Sequence, residues 1–295
     1  MYSTNFGMLD LAFAAAAGGG VGFLSGLFGI GGGFLLVPVL NIVLKVPIEF
    51  AIGAGACQVL GPSTTSLLAR DLERRQLRLP LIITGGLFVG VFCGARVLQI
   101  AKQHGDVSLA AKTVPLAELI VMSIYLVLLL VLGLSALWEV RARNSGRSIR
   151  RGLIADMRIP PYAEFPEFAG PMSVPILAWF GLVIGFFAGL LGMSGGLILL
   201  PGLIYLLGLK THESVTSSLI IVWIVAVQST VVHAWHDNID IALVMALLFG
   251  GTIGARLGSE LSEKLGGRQL RQRFGWLLLF TALLIAARLV RLMLP

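Results

Sequence analysis

Two glycine-dense stretches of this chain could hold an anion with main-chain atoms alone. Gly22-Phe-Leu-Ser-Gly26-Leu-Phe-Gly29-Ile-Gly31-Gly32-Gly33 runs on to Pro38, and Gly185-Phe-Phe-Ala-Gly189-Leu-Leu-Gly192-Met-Ser194-Gly195-Gly196 runs on to Pro201. Adjacent glycines adopt positive φ and interrupt a helix. A helix that restarts after them, from about Phe34 and about Leu197, presents unpaired N–H groups and the positive end of its dipole, which is an anion-binding geometry. The upstream glycines, Gly18, Gly22, Gly26 and Gly181, Gly185, Gly189, recur every four residues and read as close helix packing. Helix packing does not call for consecutive glycines, so Gly29, Gly31, Gly32, Gly33, Gly192, Ser194, Gly195 and Gly196 form the candidate substrate site. A glycine-broken apolar segment at matching places in two halves is a sequence pointer to a transporter binding site.

Other residue types could complete such a site. Ser63, Thr64, Thr65 and Ser66 follow Gln58, and Gln228, Ser229 and Thr230 follow Thr216, Ser217 and Ser218. Aligned so that Ser63–Ser66 match Val227–Thr230, these neutral donors could coordinate an oxyanion without a permanently buried charge. Hydroxyls in membrane helices also bond to their own backbone or glue neighbouring helices. Arg96 and Arg256, in the matching Gly94-Ala95-Arg96 and Gly254-Ala255-Arg256, are bidentate anion partners by chemistry, or snorkelling side chains near helix ends. Glu49 and Glu213, after Pro47 and Thr211, read as helix first-turn acids. His233, His236, Asp237 and Asp240 crowd one helix end with no counterpart in the other half, so no metal site is assigned, and a proton relay through His233 is the more modest reading.

The elements that position these residues are membrane helices. The chain is 57% hydrophobic and 13% charged, with a mean hydropathy of +0.92, far from a soluble balance. Its net charge of +7 is scattered between apolar runs and forms no face for nucleic acid, so lipid headgroups are the expected acidic neighbours. Cys57 and Cys93 sit in apolar runs without disulfide or zinc spacing. No Lys or Arg precedes the apolar stretch from Leu11 to Ala17, which reads as a retained segment and not a cleaved leader.

On the length ruler for a bilayer the apolar segments are 8–44, 48–69, 79–101, 116–138, 174–208, 213–236, 240–258 and 272–294. The first and fifth are too long for one pass and must break or turn back. The basic connections 70–78, 139–173 and 259–273 all reach the cytoplasm under the positive-inside rule only if the fifth segment makes an even number of passes. The expected architecture is an all-α integral membrane protein of two inverted repeats of four hydrophobic segments, eight to ten passes or half-passes, the first segment of each broken at its glycines. Residues 1–138 form the first repeat, 139–173 a basic cytoplasmic linker and 174–295 the second repeat. Arg288 and Arg291 then fall at the outer headgroups.

The doubled Gly-x-x-x-Gly-x-x-Gly-x-[Gly/Ser]-Gly-Gly pattern, each copy opening four hydrophobic segments about a basic linker, resembles the sulfite exporter TauE/SafE family of membrane permeases over residues 8–290. The resemblance implies secondary transport of a small anion, chiefly sulfite or an organosulfonate, across a bacterial cytoplasmic membrane. It implies no cofactor and no catalysis, and leaves a homo-oligomer open. Ser194 stands where the first copy has Gly31, so the two half-sites are not strictly equivalent. Two other classes compete. Gly192-Met-Ser194-Gly195 matches the nucleophile motif of intramembrane serine proteases, with His233 as base, although a catalytic serine needs no repeat. A passive anion channel differs only in coupling, which composition does not show.

Overall fold

The computed structural model describes residues 7–28, 33–68, 74–109, 112–144, 152–155, 157, 159–165, 167–168, 170–193, 195–209, 211–264 and 267–293. Its helices are α1 (Met8–Phe28), α2 (Gly33–Ile42), α3 (Ile48–Leu68), α4 (Arg78–Gln103), α5 (Leu116–Asn144), α6 (Val174–Leu191), α7 (Gly196–Pro201, continued by a π turn over Gly202–Leu206), α8 (Thr211–Trp235), α9 (Ile241–Lys264) and α10 (Gly267–Met293). Among the described residues, strand is confined to two short antiparallel pairs, Asp106–Leu109 with Lys112–Pro115 and Tyr162–Ala163 with Met172–Ser173. Seven helices, α1, α4, α5, α6, α8, α9 and α10, are long and apolar enough to cross a bilayer. The protein is therefore an all-α multi-pass membrane protein. Helix α3 is long enough to cross, but Gln58 and the hydroxyl run after Pro62 lower its hydropathy. It can carry them because it is central: Phe50 to Val59 are all buried.

Glycine decides which helices meet. A Cβ on Gly18, Gly22 or Gly26 of α1 would lie 2.7, 2.3 or 2.1 Å from the carbonyl oxygens of Leu247, Gly251 and Ala255 on α9. In return, one on Gly250, Gly254 or Gly258 of α9 would lie 1.8, 1.9 or 2.0 Å from those of Ala15, Gly19 and Phe23. The second pair repeats the pattern. Gly181, Gly185 and Gly189 of α6 face the carbonyls of Ile83, Leu87 and Val91 on α4, while Gly86, Gly90 and Gly94 of α4 face those of Ala178, Leu182 and Phe186. Backbones this close exclude any side chain and suit Cα–H···O contacts. Numbers rise together on both partners, so both pairs run parallel. The first helix of each half is thus locked to the fourth helix of the other.

These contacts fix the path of the chain. At one end of the bundle Lys102, closing α4, meets Glu49 at the start of α3 at 3.7 Å and Asn238 in the α8–α9 turn at 3.4 Å. Glu118 at the start of α5 meets Arg288 near the end of α10 at 3.0 Å. At the other end Arg271 of α10 pairs with Glu139 of α5 and donates to the Tyr205 hydroxyl at 2.7 Å. There the linker amides of Gly152 and Leu153 donate to the Tyr205 carbonyl at 2.9 and 3.2 Å. Helix α1, parallel to α9, starts at the first end. Helix α2 returns there, where the Asn41 amide donates to the Val46 carbonyl just before α3 at 3.1 Å. Helix α6, parallel to α4, starts at the linker end, and the π turn after α7 returns there. Each half opens with a helix–break–helix that enters and leaves by one end, and the two enter from opposite ends. Arg288 is held in an ion pair with Glu118, which corrects the expectation that it reaches for headgroups.

Because no side chain fits the crossings, leucine at Gly86 or Gly254 should abolish recovery of folded protein in detergent. Leucine at Gly20 or Gly85, where a Cβ meets nothing within 4 Å, should leave yield and melting temperature near wild type. Size-exclusion profiles and thermal unfolding separate the two outcomes.

Candidate functional site at two helix breaks

The second break is drawn by its glycines. Gly192 ends α6 in the left-handed region at φ 66°, its N–H still bonded to the Ala188 carbonyl at 2.9 Å. Gly195, at φ 71°, starts α7, its carbonyl accepting from Ile198 and Leu199 at 3.0 and 2.8 Å. The first-turn N–H groups after it are those a helix leaves without an internal acceptor. The expected interruption at 192–196 is present, with Ser194 outside the described residues. At the first break Gly33 opens α2, while Gly29, Gly31 and Gly32 lie outside them.

The two breaks meet. A Cβ on Gly33 would lie 3.4 Å from the Met193 Cα and 3.5 Å from the Gly192 carbonyl oxygen. Helix α3 runs past both: a Cβ on Gly55 would lie 2.8 Å from that same carbonyl, one on Gly192 would lie 2.4 Å from the Ile52 carbonyl, and one on Gly33 would lie 3.1 Å from a Val59 methyl. The fifth helix of each half braces the other side. The Tyr125 hydroxyl of α5, fully buried, donates to the Leu191 carbonyl at 2.9 Å and so satisfies an acceptor that the end of α6 leaves free. Phe274 of α10 packs on Phe28 and Phe34, the rings flanking the first break, at centroid distances of 5.2 and 5.9 Å. A cavity of about 550 Å³ borders both breaks at Phe28 and Gly196. Glu139, Tyr205 and Arg271 line it where it approaches the linker end.

The polar candidates divide. Ser63 spends its proton on its own helix, donating to the Val59 carbonyl at 2.7 Å, so it is not a ligand donor in this conformation. Thr64 accepts the Trp223 indole N–H at 2.9 Å. The Thr65 side chain lies outside the described residues. Gln228 donates to the Phe88 carbonyl of α4 at 2.9 Å, leaving its Oε1 without a partner among the described residues. Ser229 and Thr230 have buried hydroxyl oxygens without a well-aligned partner among the described residues, Thr230 lying beside the Cys57 thiol, so this half of the cluster remains the stronger site candidate. Gln58 is buried with its Oε1 unpartnered, and its amide nitrogen covers Gly251 of α9.

The arginines are not brought to the breaks. Arg96 is exposed, and so is Arg256, which pairs at 3.7 Å with Glu260 one turn away on its own helix. Nor are they equivalent. Gly94 faces the Phe186 carbonyl and Gly258 the Phe23 carbonyl, and Phe23 and Phe186 correspond in the doubled motif, so Arg96 corresponds to Glu260. Matching Gly94-Ala95-Arg96 with Gly254-Ala255-Arg256 is one helical turn out. Glu49 sits in the first turn of α3 as expected, bridged to Lys102. His233 and His236 face different partners: Asn238 and the Val232 carbonyl.

The family model for the sulfite exporter TauE/SafE matches residues 13–285. The chain belongs to that family. It is 25% identical over 287 residues to a "Probable membrane transporter protein" of Xylella fastidiosa (strain 9a5c), covering 95% of this chain and 96% of that one. It is 23% identical over 253 residues to the "Probable membrane transporter protein YunE" of Bacillus subtilis (strain 168), covering 83% and 85% of the two chains. A second B. subtilis protein, "Probable membrane transporter protein YjnA", is 26% identical over 259 residues, covering 85% and 90%. No solved structure matches. This TauE/SafE member is a multi-pass protein of a transporter family whose two helix interruptions are in contact.

The Tyr125 hydroxyl holds an acceptor that neither water nor lipid can reach. Tyr125→Phe should cost about 1–3 kcal/mol, the penalty of a buried unsatisfied carbonyl, read as a lowered melting temperature in detergent with the helix content unchanged.

Proposed function

We propose that the protein is a secondary transporter, an exporter by family, of a small anion such as sulfite or an organosulfonate, working by alternating access in a bacterial cytoplasmic membrane. The observation that carries this reading is the contact between Gly33 and Gly192–Met193, which sets the start of α2 beside the second break; the first-turn amides of α2 and α7 are the donors we take to face a solute there. Such donors are unaffordable in hydrocarbon unless something satisfies them. A small anion does so, and can leave again, because amides and the hydroxyls of Thr64, Ser229 and Thr230 carry no full charge to trap it. The basic linker end faces the cytoplasm on the loop-charge rule, so the cavity beside Phe28 and Gly196 is the cytoplasmic approach. Lipid headgroups are the partners of the exposed arginines, Arg96 and Arg256 among them.

The moving units are mixed. The glycine crossings bind α1 to α9 and α4 to α6, so the first half does not swing as a block against the second. Each unit carries one broken element, and sliding between the units at α3 and α8 opens the site to one end at a time. Catalysis has less support, since the serine of the protease reading belongs to a repeated element and the family is one of transporters.

Three measurements test this reading. In proteoliposomes, a screen of sulfite, thiosulfate, sulfoacetate, sulfate and carboxylates should reveal flux of at least one sulfur oxyanion, accumulated against its gradient when a proton gradient is imposed. Dissipation alone would mean a channel. Gly33→Leu and Gly195→Leu should abolish flux, whereas Ser194→Ala should keep most of it, the opposite of what a serine nucleophile requires. For orientation, a cysteine replacing Asp237 should react with an impermeant maleimide in intact cells, and one replacing Glu164 only after permeabilisation. The reverse pattern would turn the molecule over.

A further inference from the structure

His233 has no part in the site described so far, yet it is wholly buried on α8 at the end of a chain of polar contacts. Glu49 Oε1 lies 3.7 Å from the Lys102 ammonium, which donates to Asn238 Oδ1 at 3.4 Å. Asn238 Nδ2 lies 3.5 Å from His233 Nδ1, and the Asn238 main-chain N–H donates to the His233 carbonyl at 2.9 Å. Each link allows one orientation. An ammonium only donates, so the amide oxygen of Asn238 faces Lys102 and its NH2 group faces the ring. An amide nitrogen also only donates, so Nδ1 is the acceptor and the imidazole proton sits on Nε2.

Nε2 is buried and makes no hydrogen bond of good geometry among the described residues; the Gly189 main chain of α6 lies beside the ring as an imperfectly placed acceptor. A helical side chain leans over the turn before its own Cα, so His233 reaches back toward Ser229 on the same face. Ser229 is likewise fully buried with its hydroxyl unpartnered, and Thr230 lies beside the Cys57 thiol of α3. Within one turn of α8 there are therefore two wholly buried donors without a well-placed acceptor among the described residues.

We propose that His233, held as its Nε2–H tautomer by Asn238 and Lys102, is a substrate-binding residue that donates, with the Ser229 hydroxyl, to the oxygens of the transported oxyanion. This rests on the transport reading and adds to it a named donor with a defined proton position. A neutral imidazole offers an anion one directed hydrogen bond without burying a permanent cation. Lys102 and Asn238 are positioning residues: they fix which nitrogen carries the proton and touch no ligand.

The test uses full-length protein in nanodiscs with sulfite as the probe. Gln places an amide N–H near the Nε2 position and Asn does not. H233Q should keep the wild-type dissociation constant within about threefold, while H233N, H233L and S229A should each weaken it by roughly tenfold to a hundredfold, the loss of one hydrogen bond to a charged group. Solid-state ¹⁵N spectra of histidine-labelled protein, assigned by difference against H233Q, should show the Nε2–H tautomer, with sulfite shifting Nε2 more than Nδ1. N238L should lose the tautomer preference. Should H233L fail to insert, H233Q against H233N carries the comparison. A proton on Nδ1, or sulfite binding undiminished in H233L and H233N, would overturn the proposal and make His233 a packing residue against Gly189. Failure of the wild type to bind any sulfur oxyanion would overturn the transport reading and the ligand role together.

Discussion

Inside hydrocarbon a main-chain polar group has no solvent to fall back on, and this fold is organised around the places where its helices stop obeying that rule by themselves. Where α6 ends, the Leu191 carbonyl is met by a tyrosine from α5 and the Gly192 carbonyl lies against α3. Where α7 begins, the Gly195 carbonyl takes the amides of both Ile198 and Leu199, and the first-turn amides before them are those a helix leaves without an internal acceptor. On the transport reading proposed above, such a helix start suits an anion.

The glycine crossings serve the same end by another route. A re-entrant element is short and its tip is irregular, so it has little apolar surface with which to anchor itself. Removing every side chain from the α1–α9 and α4–α6 interfaces brings backbones into direct contact over three successive turns, which compensates for that short reach with dispersion and weak Cα–H···O contacts. The α5–α10 pair adds charge at both faces. Glu118 and Glu139 stand 21 residues apart on one helix, about 31 Å at helical rise, close to the thickness of the hydrocarbon layer, and each is paired with an arginine of α10.

Much of this was legible in the residues. Consecutive glycines have no packing rationale, so the break at Gly192–Gly196 could be read before any coordinates, and the inverted course followed from combining it with the loop arginines. The stripes Gly86, Gly90, Gly94 and Gly250, Gly254, Gly258 carry the same four-residue period as those on α1 and α6, but the neighbouring arginines drew the alignment one turn away from the true correspondence. Other features were not legible at all. Nothing in the order of residues says that Ser63 turns its proton onto Val59 while Ser229 does not, because that depends on which carbonyl each rotamer can reach. His233 is more remote still: its tautomer is set by Lys102, 131 positions earlier in the chain, through an asparagine whose own orientation only tertiary contact can define.

The pairing of α1 with α9 also has a consequence for biogenesis. Helix α1 presents a bare glycine face whose partner, around Leu247, is translated 229 residues later than Gly18, on the order of tens of seconds at ordinary elongation rates. Until then α1 must be parked in lipid or against the insertion machinery, so it waits for its final neighbour through most of the synthesis of the helices between them, and a chain cut short before α9 strands it.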